Sequence, residues 1–114
     1  MTRNAPPSAP AGVGAAARRL WRQVLERYEL DEHERALLAE TVRTVDTLER
    51  LDVVVRREGV TLEDGKPHPA IVEQRQMRIT LARLVTALRL PEDVTGDGRP
   101  QRRGVRGVYR MRGA

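Results

Sequence analysis

Two rows of residues at coiled-coil spacing dominate the middle of this chain. The first row consists of Leu38, Val42, Val45, Leu48, Asp52 and Val55. Intervals of 4, 3, 4, 3 and 4 residues separate the members of the second row, which are Ala70, Gln74, Met77, Leu81, Leu84 and Leu88. This spacing keeps each row on one side of an α-helix, whereas a strand would place alternate residues on one face. The rows therefore predict two long helices that pack side by side.

Turn and capping residues set the limits of these two helices. Asp31 followed by Glu34 has the pattern of a capping box, and Gly59 is a favourable helix stop. Pro69 is suited to the first turn of the next helix, which is expected to run to Leu90. The intervening residues predict a structured loop, so the two helices should fold back on each other as an antiparallel hairpin.

A shorter helix is predicted ahead of the hairpin, over residues 15–28, because its apolar residues form one continuous helical face. Residues 1–14 contain three Pro and two Gly without periodicity, which predicts a flexible N-terminal arm. The predicted fold is therefore all-α, with a short N-terminal helix followed by a long antiparallel helical hairpin. Residues 15–91 form the predicted helical oligomerisation domain, and residues 92–114 form a linker and an Arg-rich tail.

Positive charge is concentrated at the C-terminal end of the chain. Residues 15–90 contain 14 Lys and Arg against 13 Asp and Glu, whereas residues 99–114 contain six Arg and no acid. Because arginine bonds phosphate bidentately and tyrosine can stack on a base, the tail is a candidate DNA-binding arm. Its predicted contacts are Arg99, Arg102, Arg103, Arg106, Tyr109, Arg110 and Arg112.

Three more cations, Arg18, Arg19 and Arg22, lie near the start of the first helix. Positive charge at a helix N-terminus opposes the helix dipole, so helix stability does not explain this cluster. Contact with DNA phosphate and simple exposure to solvent are the two alternatives.

The helices carry more apolar surface than one hairpin and one short helix can cover. The chain has no Phe, one Trp and two Tyr, so a monomer of this size would have a modest core. Packing against further copies would bury the remainder, and we expect a homo-oligomer. Its candidate interface residues, all outside the two rows, are Leu37, Leu51, Ile71, Ile79 and Val85.

The sequence contains little that predicts catalysis. There is no Cys, which excludes disulfides and thiolate chemistry. His33 stands among helix-start acids, and His68, between two Pro, is expected to pack or hydrogen-bond so as to shape the turn. With no nucleophile motif or phosphate loop, we expect no enzyme, cofactor or metal. The sequence lacks an apolar segment of membrane-spanning length and a signal peptide, which predicts a soluble cytoplasmic protein without membrane contact.

The order of these parts resembles the small subunits of the terminases of tailed bacteriophages, in the group found in siphovirus-type phages and actinobacterial prophages. The resemblance covers about residues 15–91. It is strongest in Gly65-Lys66-Pro67-His68-Pro69 and in the closing Leu88-Arg89-Leu90-Pro91. The other similar segments are Leu20-Trp21 with Tyr28, Glu34 to Leu38, Glu49 to Leu51, and Glu58-Gly59-Val60.

This resemblance implies a non-enzymatic DNA-recognition component of a genome-packaging motor, active in the bacterial host cell. Such subunits form rings, bind the packaging initiation site on double-stranded viral DNA and recruit the terminase large subunit, which supplies the ATPase and nuclease. Many of them have an N-terminal helix-turn-helix domain. Here residues 15–28 and the start of the next helix could form only a reduced version of that motif.

Two other functions remain open at this point. The chain could be a helical-hairpin adaptor whose basic tail binds an acidic protein partner. It could also be a small DNA-binding transcriptional regulator that uses its N-terminal helices.

Overall fold

The structure, a computed structural model, describes residues 6–91 and is all-α in this range, as predicted. Its three helices are α1 (Ala15–Arg27), α2 (Glu32–Glu58) and α3 (Pro69–Leu88). At 1.5 Å per residue, α2 is roughly 40 Å long. The molecule is accordingly elongated, with extents of 60 × 28 × 28 Å.

The ends of α2 and α3 follow from local hydrogen bonding. At the start of α2, Glu34 Oε1 accepts the Asp31 backbone N–H at 2.7 Å and the Asp31 side chain accepts in return, forming the predicted capping box. Gly59, with φ of 92°, ends α2. The helix α3 ends at Leu88, two residues before the predicted limit, because Arg89 adopts a left-handed conformation with φ of 55°.

The helices α2 and α3 pack against each other in opposite directions. The last residue of α2, Glu58, lies 2.8 Å from His68 at the start of α3. At the other end, Leu38 and Leu88 belong to one buried cluster. Every member of the two rows described above is buried or half-buried, which is the result expected when each row faces the partner helix.

The N-terminal segment differs from the flexible arm predicted for residues 1–14, because its described part, residues 6–14, lies against the helices. The indole Nε1 of Trp21 donates to the Pro7 carbonyl at 2.7 Å. The Gly14 backbone N–H donates to Asp46 Oδ1 at 2.8 Å, and Val13 is buried. The composition of this segment suggested disorder. Residues 6–14 are instead held in place by hydrogen bonds to Trp21 of α1 and Asp46 of α2, which are distant in sequence.

The molecule has two halves along the axis of the hairpin, and they differ in packing. The packed half comprises residues 7–46 and 84–91, and it contains the main buried apolar cluster. The open half comprises residues 47–83, where only His68, Ala70 and Gln74 are buried. The cluster of the packed half consists of Val13, Ala17, Trp21, Val24, Leu30, Leu38, Val42 and Leu88.

Candidate nucleic-acid and assembly surfaces

The three arginines predicted to bind DNA are all exposed on the first half of α1. Arg18 Nη1 donates to the Val13 carbonyl at 2.6 Å, and Arg18 has no ion pair with an acid of residues 6–91. Within residues 6–91, neither Arg19 nor Arg22 has an ion pair. The helix carries a single acid, Glu26, in its last turn. Its first three turns therefore present uncompensated positive charge.

On α2, by contrast, most of the arginines are neutralised by acids of the same helix. Arg43 pairs with Glu40 at 2.6 Å, Arg50 pairs with Asp46 at 2.9 Å, and Arg56 pairs with Asp52. These are contacts between residues three or four apart, the spacing at which helix side chains meet. The charge available for an external anion is therefore concentrated on α1 and α3 rather than on α2.

The Arg-rich tail lies outside the described residues, so its seven predicted DNA contacts stay predictions. The structure does show where the chain leads into it. The hydroxyl of Tyr28 donates to the Pro91 carbonyl at 3.1 Å, which ties the end of the described chain to the C-terminal end of α1. From there, Arg18 is ten residues back along the helix, roughly 15 Å away.

The arrangement of α1 and α2 is not that of the reduced helix-turn-helix considered above. Such a motif crosses its helices at about 90–120°. Here the residue before α1, Gly14, bonds to Asp46, which lies half-way along α2. This contact requires α1 to run back along α2 as an antiparallel neighbour. Because Tyr28 through Asp31 form so short a link, sequence alone did not distinguish the two geometries.

The five residues predicted for the oligomer interface differ in their surroundings. Leu37 packs against the buried cluster of its own chain. Leu51 and Ile71 are half-buried at the edge of the hairpin. Ile79 and Val85 are 46% and 49% exposed. All five are thus at least partly uncovered, and Leu37 differs from the other four in packing against the buried cluster.

The open half exposes further apolar side chains beyond those predicted. Val53 on α2 and Val60 in the loop are more than half exposed, and Leu62 and Val72 are 40% and 45% exposed. Helix α1 and the N-terminal segment reach only as far as Asp46 and Arg50, so no element within residues 6–91 covers Val53. Sequence reasoning missed Val53 because its exposure depends on where α1 stops.

A polar group interrupts the apolar seam of the open half. Gln74 is 3% exposed and lies at a row position opposite Asp52. The pKa of the Asp52 carboxyl is lowered by the hydrogen bond from Arg56, and a hydrogen bond from Gln74 and the charge of Arg78 also lower it. Gln74 is the buried member of this pair, whereas the Asp52 side chain is 40% exposed. A single polar residue in an apolar row favours one register of the two helices.

The loop between α2 and α3 is closed by His68, which makes the turn-shaping contacts predicted for it. Its Nδ1 accepts the Ala70 backbone N–H at 3.0 Å and caps α3. Its Nε2 lies 2.8 Å from Glu58 Oε1, so the Nε2–H tautomer satisfies both contacts. This hydrogen bond lowers the pKa of the Glu58 carboxyl. Both ring nitrogens of His68 are therefore used in contacts that shape the loop.

One group of side chains has the proximity of a metal site. The ligand atoms of Asp31, His33 and Glu34 lie within 4.8 Å of one another. The carboxylates of Asp31 and Glu34 already form the capping box of α2, and His33 is exposed. Their proximity is therefore explained by helix capping.

Comparisons of the chain with models of protein families, with curated proteins and with solved structures find no match. Among the described residues, no helix combines the length and the apolar character required to cross a membrane.

Proposed function

We propose that this chain is the small subunit of a phage terminase, a non-enzymatic component that binds the packaging initiation site on double-stranded viral DNA and recruits the large ATPase and nuclease subunit. The observation that carries the DNA-binding part is the exposed group Arg18, Arg19 and Arg22. In the described part of the chain these cations have no acidic partners, whereas most arginines of the neighbouring helix α2 are paired with acids. Since arginine without an acidic partner can bind a phosphate group, α1 and the Arg-rich tail would bind the phosphate backbone of the same duplex.

Assembly into a ring is the second part of the proposal. The open half supports it, because Leu51, Ile71 and the strongly exposed Val53 lie where residues 6–91 form no buried apolar cluster. Contact with a neighbouring copy would bury this surface. A ring would also bring many α1 clusters and tails near one duplex, and this multivalency would raise a weak single-site affinity.

Duplex binding as a function of salt concentration tests the DNA-binding part. We expect an Arg18→Gln/Arg19→Gln/Arg22→Gln variant to reduce the slope of log affinity against log salt by about 2 to 3, because each lost phosphate contact contributes about 0.9. The matched control is Arg43→Gln/Arg56→Gln/Arg57→Gln, which removes the same charge from α2. We expect the control to change the slope by less than about 1.

A variant with all six tail arginines replaced by Gln completes the comparison and should reduce the slope further. Equal slopes for the α1 variant and its α2 control would show that α1 contributes only general charge. An unchanged slope in the tail variant would remove the tail from the DNA contacts.

Native mass spectrometry of the full chain, with and without duplex, tests the ring. A single mass corresponding to a closed oligomer is expected at micromolar concentration. A monomer under these conditions would contradict the assembly, and Leu51→Ser is expected to weaken a genuine interface. A dimer that binds a palindromic duplex would instead favour the transcriptional regulator.

A further inference from the structure

A second row at coiled-coil spacing lies on the side of α3 turned away from α2. Gln76 is two residues from Gln74, and Ile79 is two residues from Leu81, where Gln74 and Leu81 belong to the row that faces α2. A separation of two residues corresponds to a rotation of about 200° around an α-helix. The outer row, hereafter the outer face of α3, has intervals of 4, 3, 4 and 3 residues. Its members, all exposed, are Val72, Gln76, Ile79, Arg83 and Thr86.

The charge of α3 is unbalanced around this face. Arg75 and Arg83 lie one turn before and one turn after Ile79, so the two cations flank an apolar side chain that is 46% exposed. Within the part of the chain that the structure describes, neither arginine has an ion pair. Glu73 is the single acid of α3. The outer face therefore combines apolar side chains at helix-packing spacing with cations that nothing in the described chain neutralises.

We infer that the outer face of α3 binds an acidic amphipathic helix of a partner protein. A helix with apolar residues at the same spacing would cover Val72 and Ile79. Glutamates beside its apolar row would lie near Arg75, which flanks the outer row, and near Arg83, which is a member of it. Charge complementarity of this kind increases both the specificity and the rate of association.

Charge argues against two other occupants. A second copy using the same face would place arginine against arginine. The exposed apolar residue of α2, Val53, is bordered by Arg50, Arg56 and Arg57, which are already paired with acids of α2, so those acids are not available to Arg75 and Arg83 of a second copy. Duplex DNA would satisfy the two arginines but would leave Val72 and Ile79 against a polar backbone. Our inference assigns Ile79 to a protein partner rather than to contact between copies, and it stands whether or not the chain binds DNA.

Binding of a synthetic peptide to the full-length chain tests the inference. The probe is a fluorescein-labelled helix of three heptads with Leu at its apolar positions and Glu beside them. We expect Arg75→Gln/Arg83→Gln to weaken its binding about tenfold, and Ile79→Ser to weaken it by a similar factor. The matched control Arg43→Gln/Arg57→Gln removes the same charge from α2 and should change the affinity by less than about twofold.

A charge swap makes the test independent of nonspecific attraction. A second peptide, with Lys in place of every Glu, should bind Arg75→Glu/Arg83→Glu more tightly than it binds the unaltered chain. All these substitutions are on exposed positions, and circular dichroism checks that the variants keep their helix content.

The position of the bound peptide separates the outer face of α3 from the Arg-rich tail. With a photo-crosslinker at the peptide centre, adducts are expected on residues 72–83. Adducts confined to residues 99–112, or equal loss of binding in the α2 control, would overturn the inference. If Arg75→Gln/Arg83→Gln lowered the affinity for duplex DNA and the unaltered chain did not bind the peptide, this face would be assigned to nucleic acid. That result would also overturn the inference.

Discussion

The packed half and the open half of this molecule are built on the same two helices, yet they bury different kinds of residues. In the packed half, α1 and residues 7–14 cover one side of α2, so that Leu38 and Val42 are 1% and 0% exposed. In the open half, α3 is the only described element that α2 meets, and most row positions stay half-buried. A two-helix seam shields one stripe of each helix, and full burial needs a third element. The difference separates a surface that stabilises the fold from a surface available to partners.

The largest expected effect is a difference in stability between alanine variants of two leucines of one row, Leu38 in the packed half and Leu48 in the open half. Leu38→Ala should lower the free energy of unfolding by about 3 kcal/mol, because it opens a cavity in a closed cluster. Leu48→Ala, in the open half, should cost about 1 kcal/mol, because its side chain is already partly hydrated. Urea denaturation at low protein concentration measures both.

Equal losses would mean that the open half is as well packed as the other. A Leu48→Ala cost that rises with protein concentration would instead locate an intersubunit contact there.

The next effect concerns the attachment of α1 to α2. Asp46→Ala should lower the free energy of unfolding by about 1.5 kcal/mol, because it leaves the Gly14 N–H without its acceptor. The Asp46 side chain is 13% exposed, so water replaces that acceptor poorly. The control is Glu40→Ala, whose carboxylate is 60% exposed and pairs only with Arg43. Its cost should stay within about 0.5 kcal/mol. Thermal unfolding followed by circular dichroism compares the two; a control as costly as Asp46→Ala would contradict the assignment.

A smaller effect is expected where residues 7–14 meet α1. Trp21→Phe keeps an aromatic ring in the cluster but removes the indole N–H that donates to Pro7. The expected loss is about 1 kcal/mol. Hydrogen exchange should show faster exchange at residues 11–14 in this variant and unchanged exchange in α3. Unchanged protection at residues 11–14 would mean that this hydrogen bond does not hold the segment in solution.

The smallest effect is a pH dependence at the loop of the open half. The folded state lowers the pKa of Glu58 below its ordinary value of 4.5, so the unfolded chain binds more protons in this range. The contribution of Glu58 to stability is therefore full above pH 4.5 and is lost as the pH falls through the lowered pKa. Glu58→Gln should be less stable than the unaltered chain at pH 5.5, and the difference should shrink toward pH 3.

Urea titrations across that range measure the effect. Asp52→Asn serves as the comparison, because the pKa of Asp52 is also lowered, chiefly by its hydrogen bond with Arg56. A difference for Glu58→Gln that is constant with pH would show that the His68 contact does not depend on the carboxylate charge.

The helical framework could be predicted from the sequence because its signals are local. The spacing of Leu38 to Val55 requires a helix, and Asp31 with Glu34, Gly59 and Pro69 specify helix ends through bonds or backbone angles within a few residues. His68 was likewise interpretable from its two neighbouring prolines. The observed limits agree with these predictions except at the end of α3, where Arg89 leaves the helix early.

The candidate surfaces were only partly predictable, because exposure is decided by distant elements. Arg18, Arg19 and Arg22 were named from their position in the helix, and the structure adds that they have no acidic partner within residues 6–91. The packing of Leu37 against the buried cluster of its own chain could not be seen in the sequence. Of the outer face of α3, only Ile79 was named, as an interface residue. Val53 and the rest of that face were missed, since identifying them required knowing where α1 stops and which side of α3 faces α2.

By itself, the sequence determined three helices, their approximate limits and the rows by which two of them meet, since periodicity and capping are properties of neighbouring residues. Tertiary structure alone decided that α1 runs back along α2, that residues 7–14 pack over the helices and that Arg75 and Arg83 have no ion pair in the described chain. These features depend on contacts such as Gly14 with Asp46, 32 positions apart. No local pattern encodes such a contact, because many pairings of surfaces satisfy the same helical periodicity.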